Sequence, residues 1–270
     1  MPFESEVREE VFRLRRPDTR WLSTGFGGGY RDAPAAYNVT VPTGFDRTDL
    51  RAYLRERRRR VGFDADGPGL LTGVAMRHVR GARHGPVAAY ATAGVSNPAV
   101  LAVDDERADD APTRSTPDDD PGTTTSSPTS DDSTTTDDHP RHDGTVNVVV
   151  ATTRALDDGV LAELLTTVVE AKTATLLART GFTGTTTDAV IVGTATDGEP
   201  ASFAGAATTV GAAARACVRR AVTATVSARY ADASPPTAVA DADYGVVTDE
   251  RATAFDPRSD DAWSDTDHTV

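Results

Sequence analysis

Apolar positions along the chain fall into short runs broken by Gly, Pro and Asp, with two longer stretches of helical character. Ala35 to Val41 (AAYNVTV) alternates and reads as a strand, followed by the turn Pro42-Thr-Gly44. Pro86 to Gly94, Gly144 to Thr153 and Asp188 to Thr194 are instead near-continuous runs of Val, Ala and Thr. Such runs suit strands covered on both faces. Asp49 to Arg60 predicts a helix, and Leu161 to Arg179 predicts a longer one stopped by Gly181. Gly205 to Tyr230 predicts an Ala-rich helix of several turns. Val11 to Trp21 reads as a short strand of mixed character, and Leu70 to Val79 fits either strand or helix. Strands arriving in pairs between helices predict an α/β or α+β fold: a single globular domain with a mixed sheet flanked by helices.

The pattern stops abruptly between Asp104 and Asp143, where Asp, Thr, Ser and Pro replace almost every apolar residue. This segment holds thirteen acidic side chains against three arginines, so −10 of the total −13 charge lies there. It cannot bury enough surface to offset ordering entropy and is expected to be a disordered, solvating insertion. The strands on either side of it are expected to pair as a hairpin, so residues 1–103 and 144–250 form one domain. The Asp-rich residues 251–270 are expected to be a flexible tail.

Charge then narrows where the chain works. Lys and Arg total 28, yet Lys172 is the only lysine. A carboxylate-rich surface nearly free of lysine suits a salt-saturated cytoplasm, where screening is nearly complete beyond about 3 Å and self-repulsion costs little. The acidic balance argues against a nucleic-acid partner. The basic run Arg55 to Arg60, broken by Glu56, reads as the solvated end of a helix in preference to a phosphate site. No stretch approaches the ~20 apolar residues of a membrane span, and Met1 to Arg20 has no apolar signal-peptide core. A cytoplasmic protein is the expectation. Cys217, the only cysteine, allows neither an internal disulfide nor a cysteine metal site.

Several polar motifs interrupt the apolar runs. Leu22-Ser-Thr-Gly-Phe-Gly-Gly-Gly-Tyr30 places Gly27 and Gly28 in a turn whose amides suit an oxyanion or phosphate, or simply a flexible bend. Asn38 lies in the strand that follows. Thr92-Ala-Gly-Val-Ser-Asn-Pro-Ala99 ends a strand, with Ser96 and Asn97 either lining a site or capping a turn. Gly144-Thr-Val-Asn147 opens a strand, Glu170-Ala-Lys-Thr173 lies inside the long helix, and Thr183-Gly-Thr-Thr-Thr-Asp188 precedes the next strand.

These motifs, in this order over residues 20 to 230, resemble the adenosylcobinamide amidohydrolase (CbiZ) family. That family shows a Gly-Thr-Ile-Asn strand, a Thr-Glu-Ala-Lys-Thr helix and a Thr-Gly-Thr-Gly-Thr-Asp turn. Thr186 stands where the family usually has glycine, Val169 where a Thr often precedes the Glu, and the acidic insertion is atypical. The resemblance implies a corrinoid substrate, adenosylcobinamide, whose aminopropanol amide is hydrolysed to adenosylcobyric acid. Archaea with such enzymes return scavenged incomplete corrinoids to cobamide synthesis. It also implies no cofactor of the protein's own, because cobalt arrives inside the substrate. A corrinoid-binding protein without catalysis is the alternative, since glycine turns and Asn side chains hold corrin amides equally well. A nucleotide-binding module ranks last, for want of the Lys-Ser/Thr of a phosphate loop.

Amide hydrolysis needs an activated nucleophile, a stabilised oxyanion and a proton for the leaving amine. At about 100° per residue, Lys172 shares a helix side with Leu161, Leu165, Val168 and Leu176, and Glu163 and Glu170 fall opposite. A lysine on an apolar face serves as a base, or else snorkels or pairs with a carboxylate such as Asp188. Lys172, Glu170, Thr186 and Asp188 are the catalytic candidates. Gly27, Gly28, Asn38, Ser96, Asn97, Asn147 and Thr187 are the substrate-binding candidates. His78 and His84 are six apart, while His139, His142 and His268 lie in the insertion and tail, so no metal site is expected.

Overall fold

The computed structural model describes residues 2–102, 144–242, 244–252 and 254–256. The acidic segment expected to be disordered and most of the expected flexible tail lie outside these residues.

Four strands open the chain: β1 (Glu4–Arg8), β2 (Val11–Arg15), β3 (Thr19–Ser23) and β4 (Gly29–Asp32). Then come β5 (Ala35–Thr40), helix α1 (Leu50–Arg60) and β6 (Gly69–Thr72). A 3-10 turn at Met76–His78 leads to β7 (Arg80–His84), β8 (Val87–Ala93) and β9 (Pro98–Leu101). Beyond the acidic segment follow β10 (Val146–Ala155), α2 (Asp158–Thr180), β11 (Gly184–Thr185), β12 (Ala189–Pro200), α3 (Thr209–Arg229) and β13 (Val246–Thr248). The stretch from Leu70 to Val79, ambiguous in sequence, divides into the end of β6 and the 3-10 turn.

The strands form three sheets. The largest has the order β4-β3-β12-β10-β8-β7, with β10 and β12 parallel and the other pairs antiparallel. A second has the order β1-β2-β5-β6, and a third, small one has β11-β9-β13. The expected pairing across the acidic segment is observed: Val146 lies opposite Ala93, and Thr152 opposite Val87.

The layers follow from which side chains each strand turns where. Val146, Val148 and Val150 of β10 meet Leu161, Leu164 and Val168 of α2 and Val218 and Val222 of α3. Val149 and Ala151, on the opposite face, meet Phe12, Leu14 and Leu70 of the four-stranded sheet. The outer face of that sheet buries Val11, Tyr37 and Val39 against Tyr53 and Leu54 of α1. The order is therefore two helices, six-stranded sheet, four-stranded sheet, one helix. This is why β10 reads as an unbroken apolar run: it is covered on both sides.

Helix ends are fixed by residues visible in the sequence. The side chains of Asp49, Asp157 and Thr208 accept from the amides of Ala52, Val160 and Gly211. Gly181 ends α2 in the left-handed region, at φ 79°. One close approach ties the sheet centre together. Gly193 of β12 lies opposite Trp21 of β3, and a Cβ at 193 would sit 2.4 Å from the indole. Trp21 is fully buried and its Nε1 donates to the Ala33 carbonyl, so the ring has nowhere to swing. Gly193→Ala is expected to destabilise the fold by about 1–3 kcal/mol, the usual overpacking range. An unchanged urea midpoint in molar salt would show that the ring yields.

Candidate functional site

Strands β3 and β8 finish, and β10 and β12 begin, at the same end of the large sheet. Three of the polar motifs converge there: the Thr92–Asn97 turn, the Gly144–Asn147 strand start and the Thr183–Asp188 turn. The small third sheet holds them, since β9 follows Asn97 directly and pairs with β11. On its other edge β9 takes β13, and the Tyr244 amide donates to the Ser96 carbonyl at 3.2 Å.

On the helix face of this sheet end, Lys172 is buried and its Nζ donates to Asp188 Oδ2. Asp188 Oδ1 accepts from the Val146 amide at 3.0 Å and from the Thr185 hydroxyl. The lysine side chain is 7% exposed and the carboxylate 13%. Asp188 is thus the more open of the pair, and Thr186 and Thr187 beside it are exposed. Gly184 makes the arrangement fit. A Cβ there would lie 2.6 Å from Asp188 Oδ2 and 3.3 Å from Lys172 Nζ.

At the rim, Asn97 Nδ2 donates to Thr186 Oγ1 at 2.8 Å, and the Thr186 amide donates to the Asn97 carbonyl at 3.2 Å. Thr145 and Thr187 share a hydroxyl–hydroxyl bond of 3.0 Å. Gly144 is needed for this packing, because a Cβ there would lie 2.0 Å from Asn97 Oδ1 and 2.7 Å from Ser96 Oγ.

On the sheet–sheet face a buried polar chain crosses between the two sheets. Asn38 Nδ2 donates to Thr92 Oγ1 at 3.0 Å. Asn147 Nδ2 donates to Asn38 Oδ1 and to the Leu71 carbonyl, each at 2.9 Å. Asn147 Oδ1 and Asn97 Oδ1 are buried acceptors without a partner, unusual for native interiors and commonest near functional sites.

The residues singled out from sequence therefore separate into groups. Lys172 and Asp188 form one cluster, with Thr186, Thr187, Ser96 and Asn97 at its rim. Asn38 and Asn147 meet each other inside the sheet interface, 3% and 1% exposed. Gly27 and Gly28 line a separate cavity at the same sheet end. It adjoins the cluster through β3, whose following residue Thr24 exchanges bonds with the backbone of Val190. Glu170 is not brought in. It is exposed on α2 and pairs with Arg215 of α3 at 3.2 Å. Thr92 and Thr145 stood in the quoted motifs without being singled out. Their signal was a hydroxyl inside an otherwise Ala/Val run.

Burial, then Arg77 and Arg229, pushes His78 below its ordinary value, and burial pushes the Cys217 thiol up. Among the described residues no group of three His, Cys, Asp or Glu side chains is placed to hold a metal ion. No helix among them is long and apolar enough to cross a membrane.

Comparison with known proteins adds a second line of observation. The sequence profile described as adenosylcobinamide amidohydrolase matches residues 4–234. A protein of Halobacterium salinarum named adenosylcobinamide amidohydrolase is 44% identical over 257 residues, covering 94% of this chain and all of the relative. A protein of Methanosarcina mazei with the same name is 28% identical over 188 residues, covering 68% of this chain and 75% of that one. No solved structure matches significantly.

Proposed function

The chain belongs to the adenosylcobinamide amidohydrolase family, and on that premise we propose that it hydrolyses the amide joining aminopropanol to a corrin-ring propionate of adenosylcobinamide. The products are adenosylcobyric acid and free aminopropanol, which places the enzyme in the salvage of incomplete corrinoids for cobalamin synthesis. The composition, with one lysine and a net charge of −13, supports work in a salt-rich cytoplasm.

The observation that carries the reading is the Lys172–Asp188 pair beneath an exposed threonine turn. In this scheme the substrate amide lies over Thr186 and Thr187. Asp188, the more open partner, accepts a proton from the attacking water as its oxygen bonds to the amide carbon. The proton passes to the aminopropanol nitrogen as the carbon–nitrogen bond breaks. Lys172 acts through Asp188: its ammonium donates to Oδ2 and holds the carboxylate in place for the attacking water. The Asn97 and Thr186 groups at the rim are positioned to orient the carbonyl.

Purified protein incubated with adenosylcobinamide in molar KCl is expected to release aminopropanol. Since the cobalt belongs to the substrate, chelators are expected to leave the rate unchanged. Tight corrinoid binding without release would make the chain a binding protein instead.

A further inference from the structure

The cavity beneath the glycine turn has a chemistry that amide hydrolysis does not use. It measures about 330 Å³ and is lined by Gly27, Gly28 and four arginines, Arg31, Arg51, Arg55 and Arg58. Its one lining carboxylate, Asp66, pairs with both Arg31 and Arg58. Burial acts to raise the Asp66 carboxyl, but the Gly67 amide, Arg31 and Arg58 together hold it below its usual range. Asp66 is thus ionised and committed to those two guanidiniums. Arg51 and Arg55, one helical turn apart on α1, have no carboxylate at ion-pair distance among the described residues. In a chain of net charge −13, two uncommitted guanidiniums on one cavity wall point to an anion.

The turn facing them is built for the same ligand. Gly27 and Gly29 sit at φ 58° and 99°. A Cβ at 27 would lie 2.5 Å from Arg51 Nη2, so only glycine lets the guanidinium lie against the turn. At Gly28 a Cβ would strike the Ser23 carbonyl at 2.3 Å. Successive backbone amides in such turns form anion-binding concavities. In molar salt, screening leaves charges effective only at contact range, so these arginines matter for direct hydrogen bonding and not for long-range steering. One guanidinium satisfies both oxygens of a carboxylate. Two guanidiniums opposite a glycine turn suit a tetrahedral group with three acceptor oxygens.

We infer that this cavity is a phosphate site, held by Arg51, Arg55 and the amides of the Gly27–Gly28 turn. The phosphate comes either as the free ion or as an ester, for which the amino alcohol of the proposed reaction is the candidate. Calorimetric titration of inorganic phosphate at fixed molar KCl tests this on the full chain. The expected result is saturable binding, weakened at least about tenfold in Arg51→Gln/Arg55→Gln, as loss of charge-assisted bonds implies. Both side chains are exposed, so the double variant is expected to keep the wild-type unfolding midpoint, which serves as the folding control. Aminopropanol O-phosphate binding at least about tenfold tighter than inorganic phosphate identifies the ester as the ligand. Equal binding identifies the free ion. Absence of saturation, or saturation that the double variant leaves unchanged, overturns the inference. The titration involves no corrinoid, so it fails or succeeds independently of amide hydrolysis.

Discussion

Lys172→Met is expected to lose at least about 100-fold in turnover, the scale usual for groups that handle protons, when measured on folded protein in molar salt. The variant keeps most of the stem volume and removes the ammonium from Asp188. It also leaves a carboxylate that is 13% exposed without its counter-charge. Breaking a buried pair by removing one partner commonly costs about 3–5 kcal/mol. The lower end applies here, because Asp188 keeps its bonds from the Val146 amide and the Thr185 hydroxyl. Lys172→Met/Asp188→Asn is expected to recover most of that stability and none of the turnover. Lys172→Arg keeps the charge, but a planar guanidinium does not fit the gap that Gly184 leaves. It is expected to be inactive as well. Near-normal turnover in both Lys172→Met and Lys172→Arg would make the pair a structural element.

The next largest effect is on stability. Asn147→Val removes the donor to both Asn38 Oδ1 and the Leu71 carbonyl. Each buried acceptor left unpaired costs about 1–3 kcal/mol, so a loss of about 2–4 kcal/mol is expected from urea unfolding. Asn147 and Asn38, 1% and 3% exposed, lie too deep for a corrinoid to touch from outside. KM is therefore expected to hold in the folded variant. A raised KM with unchanged stability would mean that the interface opens and that these asparagines meet the substrate.

These two variants also show what the sequence disclosed. The buried strands were legible because β8, β10 and β12 are covered on both faces and so lack alternation. The phase of α2 put Lys172 on the apolar side, and pairing with Asp188, one of the alternatives open from sequence, is what the structure shows. The edge strands were not legible. Glu4–Arg8, Gly29–Asp32 and Arg80–His84 are largely exposed and charged, as edges that resist further pairing tend to be. They carry no apolar period to read. The meeting of Asn38 and Asn147, 109 residues apart, depends on how two sheets stack, which no local pattern encodes. The basic run was read as solvated, yet Arg58 within it is buried, with its guanidinium over the Tyr37 ring and a bond to the Ala65 carbonyl. Burial of that one arginine turns part of a charged helix end into a cavity wall.

Hydrolysis of the aminopropanol amide is tested most directly by running the reaction in ¹⁸O-water and weighing both products. The account predicts adenosylcobyric acid carrying one water-derived oxygen in its new carboxylate, together with unlabelled aminopropanol in equal amount. Recovery of intact, unlabelled adenosylcobinamide from folded, corrinoid-saturated protein would contradict it.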